Sequence, residues 1–289
     1  MDISQFIENT EERIGPYIVR QRSILKPVCF GRHSETAKEV VLKEAEPTEI
    51  EGDHRSPDLI GRLLMENEYN IQSKLSHPNI CPANELKEYD GKLFLVTPRL
   101  GPYDFAFGYP LLSTLAKMNV LEDVANALNY MHKKKIVHLD VKGENIVVNE
   151  NRGTLIDFDA ARVIRQKHPV SDRLRICTPG TVAPEYYLKG HYRPQTDVFS
   201  LAVVAYEALT DGHQPFERMG KSIDYENPRY SKAKLQEYGP LAALLITSFD
   251  LRYKRRPPVK ELADAFKEQA AKQDRPPSED SLELSLVSS

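Results

Sequence analysis

"IVHLDVKGENIVVNENRGTLIDFDAAR", residues 136–162, holds two short apolar runs, Ile146-Val147-Val148 and Leu155-Ile156, set beside Asp140, Lys142, Asn145 and Asp157. Acidic and amide groups next to buried strands cost free energy unless they are paired, hydrogen-bonded or holding a metal. Asp140, Asn145 and Asp157 are hard oxygen donors. Such groups suit Mg²⁺ carried by a phosphate compound, because this ion takes one or two protein oxygens and leaves its other positions to phosphates and water. Lys142 adds a cation beside Asp140, where a moving phosphoryl group needs its charge neutralised. Taken singly, each Asp reads as part of an acidic turn capping two strands. The spacing of the whole set favours the chemical reading.

On either side of this stretch the chain changes character. The first hundred residues favour strands, with "SILKPVCFG", "KEVVLKEA" and "KLFLVTPRL" as short β-rich runs separated by turn residues. One helix is predicted among them, over Leu59 to Leu75, after a polar, acidic linker "EAEPTEIEGDHRSPD" that reads as a mobile loop. Beyond about residue 105 the spacing turns helical. Leu115, Val120, Val124, Leu128 and Met131 share one face, and "TDVFSLAVVAYEALTDG" is apolar almost all round, as in a helix buried in a core. "PLAALLITSFDLRY" and "PPVKELADAFKEQAA" predict two more helices. The final "KQDRPPSEDSLELSLVSS" is polar and Ser-rich and reads as a disordered tail. The expected architecture is α+β, with a small strand-rich lobe followed by a larger helical one.

The composition narrows the function classes. The 289 residues are 40% apolar and 28% charged, ordinary for a globular protein with a sizeable core. A net charge of -3, with no basic stripe interleaved with aromatics, argues against nucleic acid as the main partner. Cys29, Cys81 and Cys177 are far apart and match no zinc spacing, which predicts free thiols in a reducing compartment. No apolar signal segment and no run of about 18 apolar residues is present, so the expectation is a soluble, cytoplasmic protein without a membrane span.

His138-Leu139-Asp140-Val141-Lys142-Gly143-Glu144-Asn145 resembles the catalytic loop H-R-D-x-K-x-x-N of the eukaryotic-like protein kinases, and Asp157-Phe158-Asp159 resembles their D-F-G motif. "EVVLKEA" is similar to the strand bearing V-A-I-K, "ENEYNIQSKLSHPNI" to the regulatory helix and its exit toward the next strand, "CTPGTVAPE" to the end of an activation segment, and "TDVFSLAVV" to D-x-W-S-x-G. The likeness runs from about residue 15 to 270. It implies an N-terminal extension over 1–14, an N-lobe over 15–100, a C-lobe over 101–270 and a tail over 271–289. It implies Asp140 as the base that orients a substrate hydroxyl, Lys142 on the γ-phosphate, Asn145 and Asp157 on Mg²⁺, and Thr178 bonded to Asp140 and Lys142. Lys43 becomes the phosphate-pairing lysine, with Glu68 as its partner and Glu66 as the competing choice. Glu185 is expected to pair with Arg256, or second with Arg255, and Asp197 to support the catalytic-loop backbone. "LFLVTPRLGPYD" is similar to the hinge. Thr97 then stands at the gatekeeper position, Leu100 offers backbone groups to adenine, Asp104 reaches the ribose, and Val28, Val41 and Val147 enclose the base, although each valine alone reads equally well as plain core.

Three departures stand out. Counting back from Lys43, the glycine-loop positions read Gln21, Ser23 and Lys26, which removes the close amide approach that glycines permit. Arg22 or Lys26 is the candidate replacement charge. The Arg of H-R-D is Leu139, so control by a loop phosphate, for instance on Ser171, is not expected. The D-F-G glycine is Asp159, which adds a carboxylate near the metal. Phe199 and Ala202 replace the Trp and Gly of the last motif. The implied function is a Ser/Thr protein kinase using ATP and Mg²⁺ on protein substrates. The alternatives are a pseudokinase scaffold or nucleotide-binding module, which the altered loop and Asp159 favour, and a small-molecule kinase of the choline or aminoglycoside type, which Lys142 and the Thr178–Glu185 segment oppose. Substrate identity and oligomeric state are not legible.

Overall fold

Short β-branched runs with turns between them build one antiparallel sheet. In the computed structural model, which describes residues 7–24, 26–50, 53–171, 177–219 and 222–274, strands β1 (Ile7–Ile14), β2 (Tyr17–Ser23), β3 (Val28–His33), β4 (Glu39–Glu44), β5 (Glu85–Tyr89) and β6 (Lys92–Pro98) lie in the order β1-β2-β3-β4-β6-β5. The sheet starts earlier than expected. Residues 7–14, read from sequence as an extension, form a full edge strand that pairs with β2. The run "SILKPVCFG" is likewise two strands and a turn, because β2 ends at Ser23 and β3 starts at Val28.

Register divides the sheet into two faces. Val28 pairs with Lys43 and Val41 with Thr97, and directly opposed residues point to the same side. Val28, Val41, Lys43 and Thr97 therefore share one face. The other face carries Val19, Cys29, Val40, Leu42, Phe94 and Val96, a separate apolar cluster within this lobe. Helix α1 (Pro57–Gln72) starts two and ends three residues before its predicted span. Ser56 caps it, accepting from the Leu59 amide at 3.3 Å, and Pro57 occupies the first turn, where a missing N–H costs nothing.

The chain crosses to the second lobe at residues 98–103. There β7 (Tyr103–Asp104), α2 (Phe105–Gly108), α3 (Thr114–Lys133), β8 (Ile136–Val137), β9 (Ile146–Asn149), β10 (Arg152–Leu155) and β11 (Arg162–Val163) lead to α4 (Pro184–Lys189), α5 (Pro194–Leu209), α6 (Lys232–Leu235), α7 (Pro240–Ser248) and α8 (Val259–Gln273). α5 is buried nearly all round, as its composition predicts. With α3, α7 and α8 it forms the main core, where Phe199 stacks on Phe216 at 5.3 Å. α8 continues to Gln273, past the expected boundary at 270. The tail beyond 274 lies outside the described residues, as do 172–176 and Leu25.

A second joint links the lobes. Ile80 bridges Leu155, with Cys81 N donating to Leu155 O and Leu155 N to Asn79 O, each at 2.9 Å. Gln72 at the end of α1 donates to Cys81 O at 2.8 Å.

Arg256 locks α4 to the connection before α8. Its two terminal nitrogens each donate to a Glu185 oxygen at 2.8 Å, Nη1 also donates to Gln195 O and Nε to Asp250 O, and the guanidinium lies 4.9 Å over the Phe199 ring. The predicted partner is thus Arg256 and not Arg255. Because the Arg256 side chain is fully buried, truncation strands the Glu185 charge. Arg256→Ala is expected to lower the unfolding free energy by about 3–5 kcal/mol, measured by urea denaturation, with Arg255→Ala near wild type.

Candidate active site

The loop between β8 and β9 holds an unusual backbone. Leu139 has φ of +69°, a left-handed conformation that costs a branched L-residue roughly 1–2 kcal/mol. Asp197, entirely buried on α5, compensates. Its Oδ1 accepts from Leu139 N at 2.8 Å and its Oδ2 from His138 N at 3.0 Å, while His132 Nε2 lies 2.8 Å from Oδ2. His138 Nε2 reaches Ile156 O at 3.1 Å, and its ring packs on Phe158 with centroids 5.0 Å apart. The loop is thereby fixed on both sides.

Asp140 stands at the centre. Thr178 Oγ1 donates to its Oδ1 at 2.8 Å, and Lys142 Nζ lies 2.7 Å from its Oδ2 and 2.8 Å from Thr178 Oγ1. Asn145 Nδ2 donates to Asp140 Oδ2 and to its backbone carbonyl, each at 2.9 Å. The amide orientation leaves Asn145 Oδ1 buried, with no hydrogen-bond donor on it. A buried acceptor without a donor fits a cation ligand.

Across the cleft, Lys43 on β4 faces three carboxylates from two segments, helix α1 and the turn after β10. Nζ lies 3.0 Å from Glu68 Oε2, 2.8 Å from Asp157 Oδ1 and 2.5 Å from Asp159 Oδ1. Of the two glutamates considered from sequence, Glu68 is the partner; it is 2% exposed. Burial would lower the Lys43 ammonium pKa, but Glu68, Asp157 and Asp159 together hold it well above its ordinary value. Burial likewise opposes ionisation of Asp157, yet Lys43 keeps that carboxyl far below the usual range. For Glu68, burial first and the neighbouring carboxylates next push its pKa up, against the pull of Lys43. One ammonium cannot balance three carboxylates, so the cluster, whose ligand oxygens lie within 4.8 Å of one another, carries surplus negative charge that a divalent cation would offset.

The remaining predicted residues fall around this centre. Val28, Val41 and Thr97 lie half-buried on the Lys43 face of the sheet, Leu100 in the 98–103 crossing, and Val147 on β9 opposite Asp104. Asp104 has a role the sequence did not disclose. Its Oδ1 accepts from Phe107 N at 2.9 Å and caps α2, while burial raises its pKa.

A protein kinase domain model matches residues 27–276. The chain belongs to the protein kinase domain family. It is 31% identical over 160 residues to a probable serine/threonine-protein kinase MARK-A from Dictyostelium discoideum, covering 53% of this chain and 15% of that protein. It is also 31% identical over 176 residues to zebrafish (Danio rerio) Aurora kinase B, covering 60% of this chain and 53% of that protein. The chain thus spans about half or less of these curated relatives. Among solved structures, the PknI kinase domain of Mycobacterium tuberculosis superposes with a TM-score of 0.67, covering 91% of this chain and 99% of that one; at 22% identity the likeness shows the fold alone.

In this kinase domain the departures from the family pattern have visible surroundings. Leu139 is completely buried with Val137, Ala160, Val182 and Tyr186, so an apolar cluster stands where an arginine would need an anion. Asp159 contacts Lys43 directly. No helix among the described residues is long and apolar enough to cross a membrane.

A cleft of about 500 Å³ opens beside Thr178, lined by Ala106, Glu144, Gly180, Glu207 and Ile223. Burial, with Glu144 adding to it, pushes Glu207 from an ordinary 4.5 to about 7. A raised acid pKa means that folding takes up a proton between these values. That stability is complete below about pH 4.5 and lost as pH rises through about 7. From pH 5 to pH 8 the wild type should lose about 1–3 kcal/mol through this group, a loss that Glu207→Gln should not show, read from urea midpoints. Parallel pH profiles for the two proteins would mean that Glu207 titrates normally.

Proposed function

We propose that this chain is a Ser/Thr protein kinase that transfers the γ-phosphoryl group of ATP, with Mg²⁺, to hydroxyls of protein substrates. The observation that carries the reading is the Asp140–Lys142–Thr178 triangle at the mouth of the cleft beside Thr178. It binds the catalytic loop to the segment that would cradle a peptide, which supports a protein over a small-molecule acceptor. Asp140 accepts the hydrogen bond of the incoming hydroxyl and points its oxygen for in-line attack. Lys142 neutralises charge on the group being transferred, and Lys43, aligned by Glu68, grips the phosphates behind it.

Asn145 Oδ1 and Asp157 are the oxygens that would hold Mg²⁺, and the surplus carboxylate charge around Lys43 supports that fit. Bound there, the ion would neutralise phosphate oxygens. Val28, Val41 and Val147 enclose the adenine, Thr97 bounds its pocket, Leu100 offers backbone groups, and Asp104 keeps its second oxygen for the ribose. Lys26 takes the place of the lost glycine amides; the pull of its charge on both Asp157 and Asp104 supports this role.

Activity does not depend on loop phosphorylation in this reading. The buried Leu139 cluster holds the activation segment through apolar contact and needs no phosphate.

Phosphoryl transfer from Mg-ATP to generic Ser/Thr peptides tests the proposal. Unphosphorylated wild type and Ser171→Ala should be equally active, and Asp140→Asn should lose about 10²–10⁴-fold in kcat. A wild type that is inert but binds Mg-nucleotide would favour the nucleotide-binding module instead, and activity appearing only after loop phosphorylation would refute the independence. Lys26→Ala should raise the KM for ATP about five- to tenfold with kcat nearly unchanged; an unchanged KM would remove Lys26 from the phosphate site.

A further inference from the structure

The linker before α1, expected from sequence to be a mobile loop, is tied across the molecule. Arg55, the residue before the Ser56 cap, donates from Nη2 to Val170 O at 2.7 Å and from Nη1 to Pro169 O at 3.4 Å. Asp53 orients the guanidinium. Its Oδ2 accepts from Nη2 at 2.6 Å, and its Oδ1 accepts from Nε at 2.9 Å and from the Arg55 amide at 3.1 Å. One edge of the fork is thus held by a carboxylate while remaining N–H groups reach two carbonyls over a hundred residues away.

The receiving segment is itself ordered. His168 Nδ1 accepts from Val170 N and Ser171 N, each at 3.3 Å, and Val170 and His168 are buried. Carbonyls 169 and 170 are therefore presented by a closed turn. At the other end, Arg55 adjoins the first turn of the helix that carries Glu68.

We propose that Arg55, oriented by Asp53, is a positioning residue that couples helix α1 to the activation segment through backbone carbonyls, so that Glu68 is held on Lys43 without a loop phosphate. The inference rests on the kinase reading for its effect on turnover but not for the coupling itself. An arginine receiving a phosphate would make the same connection only after modification; carbonyl acceptors make it permanently. Charge on Asp53 is secured by Arg55, whose hydrogen bonds hold the Asp53 carboxyl down to about 2, so the clamp persists across ordinary pH.

The test uses the full chain with Arg55→Ala and Arg55→Lys. Amide hydrogen exchange is followed in peptides covering 57–72 and 168–171, alongside kcat, KM for ATP and Tm. Arg55→Ala should speed exchange in both segments together and lower kcat about tenfold, with KM for ATP within about twofold and Tm little changed, and Arg55→Lys should recover part of both effects. Faster exchange in only one segment, or an unchanged kcat in an active enzyme, overturns the coupling. Should wild type transfer no phosphoryl group, the kinase reading fails, and the exchange data still decide the clamp on their own.

Discussion

The ammonium of Lys43 is the point on which the site converges. It gathers Glu68 from α1, Asp157 and Asp159 from the turn after β10, and its own strand β4 into one charged knot. Such a knot is tolerable in a half-dry cleft only if each member is held. Glu68 Oε1 also accepts from Phe158 N at 3.2 Å, so the carboxylate that pairs with the lysine also fixes the turn bearing the two aspartates. Helix α1 must lie close to the sheet for this to happen. A Cβ at Gly61 would meet the Glu46 carbonyl oxygen at 1.9 Å, so only glycine allows the approach.

The lower half of the site obeys a different constraint. Here backbone conformation is the scarce quantity. Left-handed Leu139 and Asp157, with φ of +69° and +63°, bracket the strands that carry the opening stretch. Asp197 restrains the first through two amides, and Lys43 restrains the second through its side chain. The activation segment is then fixed at two places by unlike means. Arg55 clasps its middle part by carbonyl groups, and Arg256 holds Glu185 at its far end with a fully buried fork.

Much of this was legible because the chemistry clusters in short runs. Asp140, Lys142 and Asn145 lie within six residues, and their contacts with one another and with Thr178 arise from local geometry plus one long-range closure. The two-lobe division came from a switch of hydrophobic period. What escaped the sequence depends on partners far along the chain. Residues 7–14 alternate weakly and include charged residues, so their strand emerges only from pairing with β2. Arg55 lies in a polar, acidic stretch, and nothing local announces that its acceptors are carbonyls at 169 and 170. Asp104 has the spacing of an N-cap, which the resemblance to the hinge overshadows; its Oδ1 accepts from Phe107 N, a role in the backbone that only the fold discloses. Asp159 was visible as a substitution, but its contact with Lys43 needed the fold.

The two joints between the lobes have a mechanical consequence. One is the 98–103 crossing and the other is the Ile80–Leu155 bridge with its flanking hydrogen bonds. Two fixed points define a line, and two bodies pinned at both ends of a line keep a single soft degree of freedom, rotation about it. Sliding and twisting of one lobe over the other would break backbone hydrogen bonds, whereas rotation leaves them intact and changes only the width of the cleft. Lys43 belongs to one lobe and Asp157 to the other, so their 2.8 Å contact acts as a catch on that rotation, together with the Glu68–Phe158 bond at 3.2 Å and the Arg55–Val170 bond at 2.7 Å.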